Sequence, residues 1–203
     1  MATGPTYRVM FRRRREGRTN FHRRRKLILS RVPRFVPRGS LRNMSVQIVE
    51  SKPIGDYVLA SANSKELRKF GWLGSGGNIP SAYLVGFLIG SRAKSSGLKQ
   101  AILDVGLLTP SKGTRILASL KGALDAGLEI AHDEKALPDA DRISGKHIAN
   151  YGASLSQNTP DLYSRSFSRN LANRWPPEQI PNGFEKVKKE IQRNLAGETN
   201  VPI

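Results

Sequence analysis

Apolar residues first gather at Leu27, Ile28 and Leu29, behind a polar stretch in which Thr19 or Asn20 can cap a helix. Residues 33–40 then read as a strand, although Pro37 has to sit on an edge or at a bulge because it has no amide to donate. Met44, Val46 and Ile48 alternate with Ser45 and Gln47, the pattern of a strand buried on one side. The turn SKPIGD, Ser51–Asp56, leads into a third strand over Tyr57–Ala62, which completes an antiparallel meander.

A short helix from Ser64 to about Phe70 follows, and then a Gly-rich loop, Gly71–Pro80, in which Asn78 is the next helix cap. The helix Ser81–Ala93 is apolar on nearly every side and is therefore expected to be buried, with Gly86 and Gly90 one turn apart to permit close packing. Ala101–Leu107 reads as a fully buried strand. Ile116, Leu120, Ala123, Leu124 and Gly127 mark one face of an amphipathic helix. A helix linking two strands of one sheet implies a right-handed crossover. The expected fold class is thus α/β: a mixed sheet, antiparallel meander plus a parallel crossover strand, packed with helices.

From Tyr151 the chain becomes rich in Ser, Asn and Pro. Tyr163, Phe167, Leu171 and Trp175 recur at four-residue spacing in one helix, with Arg165 and Arg169 beside them. A last helix carries Phe184, Val187, Ile191 and Leu195 on one face, and Pro176, Pro177 and Pro181 separate the two. The expected organisation is a basic N-terminal arm over 1–19, an α/β core over 20–150 and a helical C-terminal extension over 151–203.

Composition adds a partner to this picture. The 203 residues are 38% hydrophobic, enough for a folded core, yet 34 Lys and Arg face 16 Asp and Glu for a net +18. Such a surplus calls for a polyanion, because each neutralised phosphate releases condensed counterions. No apolar run approaches the ~20 residues of a membrane span, and no secretory h-region opens the chain. Four consecutive arginines leave no apolar face for a transit peptide. With no cysteine, disulfides and thiolate metal sites are excluded, which suits a reducing compartment; the expected location is the cytoplasm.

The charge is also unevenly placed. Arg8 to Arg38 holds thirteen basic residues against Glu16 alone, a net +12 in 31 residues that leaves +6 for the other 172. All but Lys26 are arginines, whose guanidinium forks grip phosphate bidentately and stack on bases. Phe11 and Phe21 interleave with them, and bases stack on aromatic rings. Phe11 is therefore expected on RNA, whereas the Tyr163–Trp175 stripe is expected to pack on protein and leave Arg165 and Arg169 to reach RNA from the adjacent face.

Catalytic chemistry finds no constellation. His22, His132 and His147 have no metal-ligand spacing, the GSGGN loop at Gly74–Asn78 lacks the Gly-Lys-Ser/Thr of a phosphate loop, and Asp139 and Asp141 lie in a Pro-bearing loop. Asp104, inside an apolar run, is the one carboxylate expected to be perturbed, and its ordinary role would be structural, held by backbone or Arg hydrogen bonds. No catalytic residue, metal, cofactor, small-molecule substrate or membrane is expected.

Five motifs carry a resemblance. They are Tyr7–Arg24 (YRVMFRRRREGRTNFHRR), NIPSAYLVG at Asn78–Gly86, AILDVGL at Ala101–Leu107, LKGALDAGLEI at Leu120–Ile130 and RISGKHI at Arg142–Ile148. In this order the chain resembles the family of large-subunit ribosomal protein eighteen, in its archaeal and eukaryotic branch. The resemblance implies a structural protein of the central protuberance that binds 5S rRNA and holds it against the 23S-type rRNA. Ribosomal protein five and other central-protuberance proteins would be its neighbours. Carried over by motif, the RNA contacts fall on Arg12, Arg13, Arg14, Arg15, Arg18, Thr19, Asn20, Phe21 and Arg24, then on Arg34, Arg38 and Ser40. Arg8, Phe11, Arg23 and Arg31 join them as members of the same basic stretch. The sequence departs from the family at Pro37, Ser81 and Ala131, none of them in the basic motif. The alternative reading, a general polybasic nucleic-acid-binding protein without 5S specificity, is opposed by the apolar core; an RNA-processing enzyme is opposed by the missing constellation.

Overall fold

A computed structural model describes residues 4–109 and 111–198, with side chains as far as Asn194. Two short helices lead, α1 (Arg12–Arg15) and α2 (Phe21–Leu29). The meander follows as β1 (Arg34–Gly39), β2 (Met44–Lys52) and β3 (Gly55–Asn63), then a 3₁₀ turn at Glu66–Phe70 and helix α3 (Ile79–Ser95). Next come β4 (Gln100–Leu103), α4 (Arg115–Asp125), β5 (Glu129–Ile130), α5 (Ala140–Ser144) and α6 (Lys146–Asn158). The chain closes with α7 (Pro160–Ser166), α8 (Ser168–Ala172) and α9 (Ile180–Glu198).

The five strands form one mixed sheet in the order β3-β2-β1-β4-β5. β1–β2 and β2–β3 are antiparallel, whereas β1–β4 and β4–β5 are parallel, as the expected meander and crossover require. Period-two alternation divides the sheet's two faces. Phe35, Met44, Val46 and Ile48 point into the core beneath α3 and α4, while Val36, Gln47, Val49 and Val58 line the opposite face under α2.

α3 and α4 cross at almost backbone contact. A Cβ on Gly86 would overlap the Ser119 carbonyl, and one on Gly122 would overlap the Tyr83 carbonyl, so only glycine fits either position. Asn78 caps α3 as expected, its side chain accepting the Ser81 amide at 3.0 Å. The Tyr83 hydroxyl donates to Asp125 at 2.7 Å across this interface, and burial together with that carboxylate raises its pKa strongly. α9 lays Ile180, Phe184, Val187 and Ile191 into the same core, and Trp175 meets Trp72 edge-on at 4.9 Å. Leu195, expected on that face of α9, lies outside the described side chains.

Several expectations need correction. The run Ala101–Leu107 is strand only to Leu103, because Asp104 turns to Arg34 and Gly106 takes a left-handed φ of +66°. The helix expected from Ser64 is a 3₁₀ turn ended by Gly71 at φ +87°. The Tyr163–Trp175 stripe is not one helix: it breaks at Phe167, and Arg174 at φ 52° reverses the chain so that Trp175 enters the core from a loop. β5, α5 and α6 were not anticipated; β5 spans two residues, too few for a period to register. α6 runs without interruption through residue 150.

Pro37 sits in a strand with neighbours on both sides, yet its missing amide costs nothing. The Phe35 carbonyl accepts the Asp104 amide at 2.8 Å, so alternate residues from Phe35 face β4, and within β1 only Arg34 and Phe35 are paired with β4. At Pro37 that side of β1 is locally an edge, and the Arg38 guanidinium occupies it by donating to the Pro37 carbonyl at 2.8 Å.

Candidate nucleic-acid interface

The helix carrying the basic motif begins where the sequence expected. Of the two candidate caps Asn20 is the one used, its side chain accepting the Arg23 amide at 3.4 Å. Thr19 instead accepts the Arg13 guanidinium at 3.2 Å and ties the one-turn α1 to the start of α2. Glu16 holds Arg12 at 3.6 Å and Arg18 at 3.4 Å. Phe11 and Phe21 touch edge-to-face at 6.0 Å between centroids, and both remain largely exposed. The aromatic contact joins arm to helix and still leaves ring surface for a base.

What fastens α2 to the sheet was not anticipated. The apolar triplet Leu27–Leu29 is no such anchor: α2 buries no residue, and Leu29 is 69% exposed. The anchor is ionic. Arg24 donates from one nitrogen to both oxygens of Asp56 at 2.9 Å, and Arg34 reaches the same carboxylate at 2.8 Å. Arg34 also holds Asp104 at 2.8 Å, and Ser51 bridges Arg34 and Asp56 at 3.1 Å to each. The Asp104 carboxylate further accepts the Gly106 amide at 2.9 Å, and its carbonyl accepts Arg38 at 2.8 Å. A relay of alternating charge thus runs from the helix through β1 to the loop after β4. At Asp56 burial pushes the pKa up, but the hydrogen bond and charge of Arg34, with Ser51 and Arg24, outweigh it and hold the carboxyl below its ordinary 3.8.

Between α2 and the sheet opens a cleft of about 470 Å³. Arg18, Thr19, Asn20, Arg23, Arg24 and Lys26 form its helical wall, and Arg34 and Arg38 lie on its sheet floor. Arg8, Arg12, Arg13, Arg14, Arg15 and Arg23 are exposed around it or along the arm, Arg12 and Arg13 with the contacts to Glu16 and Thr19 already described. Arg31 is exposed at φ 58°, at the turn from α2 into β1.

Two expected contacts, Arg34 and Ser40, have other engagements, and two more lie away from the cleft. Arg34 has a side chain only 5% exposed and held by two carboxylates, so it faces protein. The Ser40 hydroxyl closes the β1–β2 turn, donating to the Asn43 carbonyl and accepting the Asn43 amide, each at 3.0 Å. Arg165 and Arg169 are exposed on α7 and α8 and do not line the cleft.

Asp56 and Arg115 escaped sequence reasoning. Arg115 donates to the carbonyls of Ser40 at 2.8 Å and Gly77 at 3.0 Å, fastening the hairpin tip to the Gly-rich loop. A signal for Asp56 did exist: an arginine beside Phe35 on a central strand needs a carboxylate when buried. Among the described residues no group of three His, Asp or Glu could hold a metal ion, and no helix is long and apolar enough to cross a membrane.

Comparison with known proteins places the chain in a family. Residues 5–100 and 93–133 match the family described as ribosomal large subunit proteins 60S L5 and 50S L18. The chain belongs to that family. It is also 51% identical over 197 residues to the large ribosomal subunit protein uL18 of Caldivirga maquilingensis, covering 97% of this chain and 95% of that protein. As a member of the L5/L18 family the protein is a structural constituent of the large ribosomal subunit, not an enzyme. It resides in the cytoplasm within the ribosome, with ribosomal RNA and ribosomal proteins as partners.

Proposed function

We propose that the protein binds 5S rRNA through the arm, α1 and the α2 cleft, and attaches it to the 23S-type rRNA in the central protuberance, beside ribosomal protein five. The observation that carries this reading is the exposed arginine set held on a helix whose position is fixed by the Arg24–Asp56–Arg34 relay. RNA helices offer phosphates, 2′-hydroxyls and shape more than base edges, so placing many guanidinium forks rigidly selects a folded RNA without reading its sequence.

The chain has no cysteine, so one introduced residue gives a unique chemical handle. An iron chelate on His22→Cys, exposed on α2, is expected to cleave 5S rRNA in one compact region by local hydroxyl radicals. Cleavage scattered along the whole RNA would contradict the reading. The same chelate on Arg165→Cys tests whether the C-terminal arginines approach that region.

A further inference from the structure

The +6 carried outside Arg8–Arg38 is itself concentrated. Residues 65–69, Arg92 and residues 185–193 together hold eight basic and three acidic side chains, a net +5. The 3₁₀ turn Glu66–Phe70 and α9 lie side by side in the fold, and between them runs an open groove of about 730 Å³. Lys69 and Lys186 line it, with the side-chain amides of Gln179 and Asn182. Lys65, Arg68 and Lys189 extend the exposed basic surface around it.

Of the region's three acids, Glu66, Glu185 and Glu190, two are paired with arginines, although Glu190 itself lines the groove. Glu66 pairs with Arg92 at 2.7 Å, and Glu190 pairs with Arg193 at 3.8 Å. Among the described residues Lys65, Arg68, Lys69, Lys186 and Lys189 have no acidic partner within 4.0 Å. This surface is on the far side of the molecule from α2: α9 packs on α3, and α3 packs on the sheet face opposite the cleft.

We propose that the groove between the 3₁₀ turn and α9 is a second RNA-backbone site, holding a phosphodiester strand other than the one on α2. Its chemistry favours RNA over a protein partner. Protein interfaces are depleted in lysine and anchored by aromatic residues at their centre, whereas this groove is mainly polar, with Trp175 buried beneath it and Phe70 half-buried. Nucleic-acid interfaces are polar and strongly positive. Lysines are compact charges on flexible stems that follow phosphates without demanding one geometry, in contrast to the arginine forks of the arm. Two basic surfaces on opposite faces let one protein hold two RNA segments together. This inference does not depend on which RNA occupies α2.

The test uses the full chain and a short RNA duplex of arbitrary sequence, in the R12A/R13A/R14A/R15A background so that the arm contributes little. K69Q/K186Q/K189Q, all at exposed positions, is expected to lower duplex affinity about tenfold and to flatten the salt slope by about 2 to 3, at ~0.9 per phosphate contact. K69R/K186R/K189R is expected to retain both. Unchanged affinity and slope in the Gln variant would overturn the site. Competition by polyglutamate as effective as that by RNA would overturn its assignment to RNA.

Discussion

Arg24 on the basic helix and Arg34 within the sheet share one carboxylate, that of Asp56, at 2.9 and 2.8 Å. In a molecule of net +18 built to meet a polyanion, an acid beside the binding arginines works against long-range attraction. Its place in the fold is explained by what it positions: α2 buries no residue fully, and Asp56 ties its Arg24 to Arg34 of the sheet.

Asp56→Asn therefore separates attraction from positioning. Removing a negative charge should tighten RNA binding if attraction alone matters. The relay predicts the opposite, a loss of about tenfold in affinity, the equivalent of ~1.4 kcal/mol and within reach of one charge-assisted hydrogen bond. Filter binding or fluorescence anisotropy against the cognate RNA at fixed salt reads the sign directly, and tighter binding would refute the positioning role.

Asp104→Ala leaves the Arg34 guanidinium buried with one carboxylate lost. Breaking a buried pair from one side costs about 3–5 kcal/mol, so urea unfolding should show a fall of that order. A change under about 1 kcal/mol would mean that Arg34 finds water or another partner at once. Arg34→Met with Asp104→Leu, which removes both charges of that pair, should recover part of the loss.

Gly86→Ala places a methyl where the Ser119 carbonyl already lies. Overpacking of this kind costs about 1–3 kcal/mol, and more where backbone must move, so the thermal midpoint should fall clearly. Gly97→Ala is a poor comparison because its φ of +75° brings strain of its own.

Replacing Arg12, Arg13, Arg14 and Arg15 with alanine should weaken RNA binding and reduce its salt slope by up to ~3.6, at ~0.9 per duplex phosphate contact. These side chains are exposed, so the folded domain should melt as before. An unchanged slope would mean that the four arginines face away from phosphate.

The parts of this fold legible in the sequence are those whose pattern is local. Met44, Val46 and Ile48 announce β2 by alternation, Asn78 announces the start of α3, and Gly86 announces close packing. The basic motif from Tyr7 to Arg24 located the candidate site in the same way. What stayed hidden depends on partners far apart in the chain. Arg34 meets Asp104 across 70 residues; a buried carboxylate calls for an arginine, but nothing local says which one. The apolar triplet Leu27–Leu29 suggested a greasy anchor for α2, but the ionic relay performs that role and leaves Ile28 and Leu29 exposed. Trp175 looked like the end of a helical stripe, yet a left-handed turn at Arg174 delivers it to Trp72.

The most direct measurement is the affinity of the full chain for 5S rRNA and for tRNA at matched, near-physiological salt. Both are compact folded RNAs with dense phosphates, so charge alone binds them alike. A fixed arginine cleft predicts strong preference for 5S rRNA. Equal affinity would leave a polybasic surface without shape selection and contradict the proposed 5S rRNA role.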